Sequence, residues 1–322
     1  MNAKEKYIEL CKQEQMPLFL QPWWLDAVTI PDRKRWEVML KYGKQGQIEA
    51  AMPYMLRHKM GLSYILMPQQ TQIGGVWLSS KLKNDSQTQT KIAKWVTDSL
   101  QQLGIDYYYQ HYPLYSPLPR LLQEEGFTIK KRITYRIEDT SDIDNIIRSF
   151  SNNKKRQIKK SASLVVDYHL TAQEFYQMHV TCLKNKHHSI RYSWNLFENI
   201  YKASATHGQG QLIGLRQVAD SRLIAAAFIV WDSEQMYYLI PALDPSFGHI
   251  GAGARLVLEC IKLAEQKGLS FDFEGSNVPS IANHYRQFGS TPVEYYSVEK
   301  KQNPIFSLLL FYNKIKEKLQ GK

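Results

Sequence analysis

One order of helical and strand periodicities runs through this chain twice. The first half reads helix, three strands, helix, strand, helix, strand, between residues 3 and 137. The second half reads helices, three strands, helix, strand, helix, strand, between residues 142 and 298. Each half puts meander strands first and crossover helices later, the pattern of a mixed α/β fold. At 322 residues the chain exceeds what one core usually serves, near ~250–300 residues, and fits two domains of similar size. The expected division is 1–145 and 146–322.

Particular segments carry the pattern. Ile92, Trp95, Val96, Leu100 and Leu103 form one stripe of a helix over 90–103, closed by Gly104. Thr171 is an N-cap with Glu174 three residues on, which opens a helix running to about Lys184. Leu164–Leu170 reads as a strand. Leu223–Trp231 is apolar at consecutive positions, so a strand there is buried on both faces. Ile305–Tyr312 reads as a terminal helix docking one face on the core.

Cys11, Cys182 and Cys260 are widely spaced and odd in number, which argues against a disulfide framework and a structural zinc site. His187-His188 has no ligand spacing, so no metal site is expected. No run of 18 apolar residues occurs, and the charged N-terminus lacks a signal-peptide core. A cytoplasmic protein with no transmembrane segment is expected, as a monomer or weak dimer.

The net charge is +11, and five positive charges fall in Asn152–Lys160. Such a run is either a solvated helix or a contact for phosphate. Lys154, Lys155, Arg156 and Lys159 are the candidates for the second role.

The stretch from Met236 to Gly289 is where chemistry is expected. A loop with Gly248 leads to Gly251-Ala252-Gly253 at a helix start. Small residues there either expose backbone N–H groups to an anion or simply make a turn. In Ser270-Phe271-Asp272-Phe273-Glu274-Gly275, alternation places both carboxylates on one sheet face near a strand's carboxyl end. One of the acids could instead cap the next loop or pair with Arg286. Ile281, Tyr285 and Phe288 share a helix face, which aims Tyr285 at core or cleft. Its phenol is either a packing group or a proton donor.

This succession of strand, Gly-rich turn, helix, acidic strand end and Tyr-containing helix resembles the second half of a GNAT acyltransferase fold. Asn153-Lys154-Lys155-Arg156-Gln157-Ile158-Lys159-Lys160 resembles the basic segment that opens the second domain of the FemABX family. Phe271-Asp272-Phe273-Glu274-Gly275 and Tyr285-Arg286-Gln287-Phe288-Gly289 resemble that family's closing signature. The resemblance covers most of 141–298 and extends to 1–140 only in layout. It implies two tandem GNAT-like domains with a cleft between them. It also implies transfer of an acyl or aminoacyl group to an amine, such as that of a cell-wall precursor or another nucleotide-linked substrate.

The donor implied is aminoacyl-tRNA or acyl-CoA, with no tightly bound cofactor. The sequence departs from the acyl-CoA pattern, in which Arg or Gln, two residues, Gly, one residue, then Gly or Ala precede the helix. Here no such polar residue stands before Gly251 and Gly253. Asp272 or Glu274 is expected to take the amine proton, and Tyr285 or Arg286 to assist the leaving group. Lys154, Lys155, Arg156 and Lys159 would meet the phosphates of tRNA or a nucleotide sugar. Arg57 and Lys59 follow a strand and would hold the acceptor's phosphates. The alternative is a catalytically inactive GNAT-fold protein that binds tRNA or nucleotides.

Overall fold

The computed structural model describes residues 1–29, 35–113, 115–275 and 278–303. The expected terminal helix at Ile305–Tyr312 lies outside them. Two compact units are present, one of residues 1–132 with 294–322, the other of residues 133–293.

The first unit opens with α1 (Ala3–Gln13), started by a capping box between Asn2 and Glu5, and α2 (Pro22–Thr29). Strands β1 (Glu37–Tyr42), β2 (Ile48–Tyr54) and β5 (Trp77–Leu78) form a small antiparallel sheet. A second set runs β3 (Leu56–Lys59), β4 (Leu62–Ile65), β6 (Tyr107–Tyr112) and β13 (Thr291–Lys301). The β4–β6 pair is parallel, because α3 (Ser86–Gln102) crosses between them. Ile92, Val96 and Leu100 of α3 pack with Tyr108, Tyr112 and Phe127 in one core, as the sequence stripe requires. The short helix α4 (Leu118–Glu124) closes that core. Two-residue β5 carries too little periodicity to be read in advance. Arg57 and Lys59 follow β2 and lie within β3, opposite Tyr64 and Leu62.

The second unit runs β7 (Thr128–Ile137), α5 (Ile143–Ser149), α6 (Asn152–Lys160), β8 (Val165–Asp167), α7 (Ala172–Asn185) and α8 (Trp194–Thr206). Then come β9 (Gly210–Arg216), β10 (Leu223–Trp231), β11 (Gln235–Leu243), α9 (Ala252–Lys267), β12 (Ser270–Asp272) and α10 (Pro279–Arg286). Its strands lie in the order β7-β12-β11-β10-β9-β8. All neighbours are antiparallel except β11 and β12, which α9 connects. Every β10 residue after Leu223 is buried. Ala225, Ala227 and Ile229 share a core with Leu256, Val257 and Ile261 of α9. Phe228 points the other way, with its ring 5.5 Å from Phe197 of α8. Helices on both faces explain why this strand needs no polar alternation.

Two differences from the sequence expectation have local causes. The strand expected at Leu164–Leu170 shrinks to Val165–Asp167, because Asp167 accepts from the His169 amide at 2.8 Å and turns the chain. The grouping of residues also departs from a division at 145. Ile133–Ile137 of β7 falls in the second unit and returns as the partner of β12, while β13 from Glu294 onward falls in the first and pairs with β6. Among the described residues no helix is long and apolar enough to cross a membrane.

Candidate active site

Strand β11 decides where the site lies. It pairs Ile240 with Phe228 but Tyr237 with Val230, so one extra residue stands within Tyr238–Leu239. A bulge of this kind takes a residue out of the ladder. On its other edge β11 meets β12 at three positions only, ending with Tyr237 opposite Asp272. Strand β12 stops there while β11 continues to Leu243, so the parallel pair parts at Asp272. Open α/β sheets bind ligands beyond strand ends at such places.

Asp272 is fully buried and fully bonded. Its Oδ1 accepts from Thr134 Oγ1 at 2.5 Å and from the Glu274 amide at 2.7 Å. Its Oδ2 accepts from Gln235 Nε2 at 3.1 Å and from Arg136 Nη2 and Nε at 3.2 and 3.3 Å. Burial pushes this carboxyl above its ordinary range, and the Arg136 charge opposes the shift.

Glu274 does not continue the alternation that would put it beside Asp272 on one face. Its φ is +63°, a left-handed conformation that removes it from the extended chain and costs a non-glycine residue about 1–2 kcal/mol. Gly275 follows at φ +66°, where a Cβ would stand 2.7 Å from the Ile133 carbonyl oxygen. The turn passes too close to β7 for any side chain. Glu274 Oε1 is buried with no hydrogen-bond partner among the described residues. Burial, and then the Asp272 charge, hold the Glu274 carboxyl well above the usual range.

Tyr285 completes the group. Its ring centroid lies 4.6 Å from that of Phe273. Burial first, then the charges of Glu274 and Asp272, push its phenol up to about 12. Arg286 is exposed and donates from Nη2 to the Tyr135 hydroxyl at 2.9 Å, so it does not pair with either acid. Asp272, Glu274 and Tyr285 thus gather in one place, and Arg286 borders them through Tyr135, whose ring centroid lies 6.1 Å from that of Tyr285.

The basic segment divides. Lys154 is 3% exposed, with its ammonium 4.7 Å from the Phe288 ring centroid, and it donates to His284 Nδ1 at 3.0 Å. It therefore belongs to the interior, contrary to the expected phosphate contact. Burial lowers it to about 8, and burial with the Lys154 charge lowers His284 to about 4. Lys155 donates to the Arg148 carbonyl at 2.7 Å. Arg156, Lys159 and Lys160 are exposed.

Lys154 predicts a pH dependence of stability. Its folded value lies below its unfolded one, so between about pH 8 and 10.5 the unfolded chain binds more protons and stability rises with pH. Below pH 8 the full penalty applies. Lys154→Met should stabilise the protein at pH 7 by about 1–2 kcal/mol, allowing for solvent screening near the surface. It should also flatten the rise above pH 8, as read by denaturant melts at several pH values.

The glycines expected at an anion site serve different ends. Gly251 has φ +81°, and a Cβ there would stand 2.1 Å from the Gln157 carbonyl oxygen, so it lets α9 start hard against α6. A Cβ on Gly253 would meet Leu243 Cδ2 at 3.2 Å. Gly248 faces open space.

A family model described as an acetyltransferase (GNAT) domain matches residues 148–286. That span holds the bulge, the parting strands, Asp272, Glu274 and Tyr285. Residues 148–286 have the GNAT fold. Solved structures extend the fold to the whole chain. FemX superposes with a TM-score of 0.72 at 11% identity, covering 96% of this chain and 98% of its own. L-PGS from Bacillus licheniformis gives 0.56 at 11%, covering 96% of each chain. A tandem GNAT protein from the clavulanic acid biosynthesis pathway gives 0.54 at 11%, covering 90% and 99%. The fold is that of tandem GNAT proteins. A search of curated protein sequences finds no match.

Several residues that shape the candidate site went unread in the sequence. Thr134, Tyr135 and Arg136 precede the matched span, and Gln235 looks like an ordinary strand start. The spacing of Lys154 and Ile158 was a usable signal, since it sets the lysine on the same helix face as an apolar residue.

Proposed function

We propose that this protein transfers an acyl or aminoacyl group from a thioester or ester donor to an amine. The observation that carries the reading is the buried Glu274 Oε1, unpaired among the described residues, beside Tyr285 where β11 and β12 part. A carboxyl held above its usual range is, once ionised, a stronger base and so is suited to receive a proton from an attacking amine. The amine nitrogen attacks the donor's carbonyl carbon, and Glu274 accepts the amine proton. The carbonyl oxygen gains negative charge, which a backbone N–H of the Tyr238–Leu239 bulge would stabilise in this reading. The carbon–sulfur or carbon–oxygen bond then breaks, and Tyr285 gives its proton to the leaving thiolate or alkoxide.

The exposed face of α6 supports a polyanionic donor such as aminoacyl-tRNA. Arg156, Lys159 and Lys160 lie at helical spacing on it and remain open to solvent. The absence of an Arg or Gln at the GNAT spacing before Gly251 and Gly253, where Gly248 stands instead, weighs against acyl-CoA in the usual GNAT manner. This reading places the protein in the cytoplasm, acting on a soluble amine, with a nucleotide-linked cell-wall precursor as the acceptor that the FemABX resemblance suggests.

A thermal-shift panel with acetyl-CoA, aminoacyl-tRNA and nucleotide sugars tests the donor. Aminoacyl-tRNA should stabilise the protein, and R156E/K159E/K160E should weaken that binding and flatten its salt dependence by about three phosphates' worth. Stabilisation by acetyl-CoA alone, unchanged in the triple variant, would select an acyl-CoA donor. No response to any donor would count against transfer activity.

A further inference from the structure

We infer that Asp272 is a positioning residue that, through Thr134, Arg136, Gln235 and the Glu274 amide, holds Glu274 in its left-handed turn with one carboxylate oxygen left for the substrate amine. This rests on the reading of Glu274 above, and it removes Asp272 from the candidates for proton transfer. Asp272 has no capacity left for a substrate. Both oxygens accept two partners each, the residue is completely covered, and every partner is a protein group. An acid so saturated cannot meet an ammonium without breaking bonds that hold β12 to β7 and β11.

The same bonds define the turn. A φ of +63° at a glutamate persists only where its surroundings over-determine it. Two constraints do so here. The Asp272 Oδ1 pulls the Glu274 amide back at 2.7 Å, and the next residue runs so close to β7 that a Cβ on Gly275 would stand 2.7 Å from the Ile133 carbonyl oxygen. Thr134 and Arg136, on alternate positions of β7, in turn fix the Asp272 carboxylate.

The charge of Asp272 has a second effect. The ionisable groups around the turn are Asp272 of β12, Tyr135 and Arg136 of β7, Tyr238 of β11, and Tyr285 and Arg286 of α10. Asp272 is the acid among them, so it opposes ionisation of Glu274, as burial also does. Removing that charge while keeping the shape should let Glu274 ionise at lower pH. A residue that served shape alone would not produce this shift.

The test is a carboxyl-carbon NMR titration of Glu274 in the full chain, assigned with E274Q, in wild type and D272N. The midpoint should fall by about one pH unit or more in D272N. A midpoint that stays or rises overturns the inference. If D272N does not fold, D272S leaves room and an acceptor for the Glu274 amide and should give the same downward shift, with the same contrary result. The titration uses neither donor nor acceptor. Full transfer activity in E274Q would refute the proposed chemistry while the NMR shift stood. An unmoved midpoint with E274Q inactive would refute only the role of Asp272.

Discussion

An E274Q variant is expected to lose about 10²–10⁴-fold in kcat/KM for acyl transfer while keeping its fold. Glutamine has the shape of the glutamate but cannot take a proton from an attacking amine. Among the described residues Oε1 has no hydrogen-bond partner and no ion pair holds the side chain, so loss of the charge should leave the fold intact. A stronger signature comes from E274N. Asparagine tolerates the left-handed region that Glu274 occupies at φ +63°. It also removes a buried ionisable group. E274N should therefore be inactive and more stable, by about 1 kcal/mol or some 2–4 °C in Tm. Activity and stability would move in opposite directions at one residue, as they do where strain is held for function. A destabilised E274N would mean that the carboxylate serves the fold.

G251A is expected to cost about 3 kcal/mol or more, a fall in Tm of roughly 6–12 °C. Two effects add. Alanine is strained at φ +81°, and its Cβ would stand 2.1 Å from the Gln157 carbonyl oxygen and 2.8 Å from its Cα. Those are backbone atoms of α6, so neither a rotamer change nor a small shift relieves the contact. Either α9 moves off α6, or the start of α9 unwinds. G248A is the control, because its Cβ would meet nothing within 4 Å, and it should stay within ±0.5 kcal/mol of wild type. If G251A kept its Tm but lost donor affinity, Gly251 would be a ligand-facing glycine, and the packing account of this turn would be wrong.

Much of the second unit was legible because local chemistry agrees with the fold. The strand at Leu223–Trp231 was read to the residue, since helices on both faces require continuous apolar sequence. Thr171 caps the helix it was expected to start, accepting from the backbone amide of Glu174 three residues on. The site was legible only in part. Glu274 and Tyr285 were named, but alternation carried the extended chain through Glu274, where the backbone turns left-handed instead. What turns it is a bond to Asp272, and Asp272 is held by Thr134 and Arg136 from 138 and 136 residues away. No periodicity carries contacts of that range. The charge run misled for a different reason. Its composition is polar, yet Lys154 shares a face with Ile158 and Ser161, so geometry turns one cation of five inward. The division of the chain was blurred by β7 and β13, because a strand's periodicity does not reveal which neighbours it will pair with.

The central claim is that Glu274 takes the amine proton from a position that keeps it protonated well above the usual glutamate range. The pH dependence of kcat/KM, measured from pH 4 to 9 with the donor identified by the thermal-shift panel, tests it most directly. The account predicts a rising limb with its midpoint well above the ordinary glutamate value of about 4.3, absent in E274Q. A flat profile, or a limb that survives unchanged in E274Q, would contradict it.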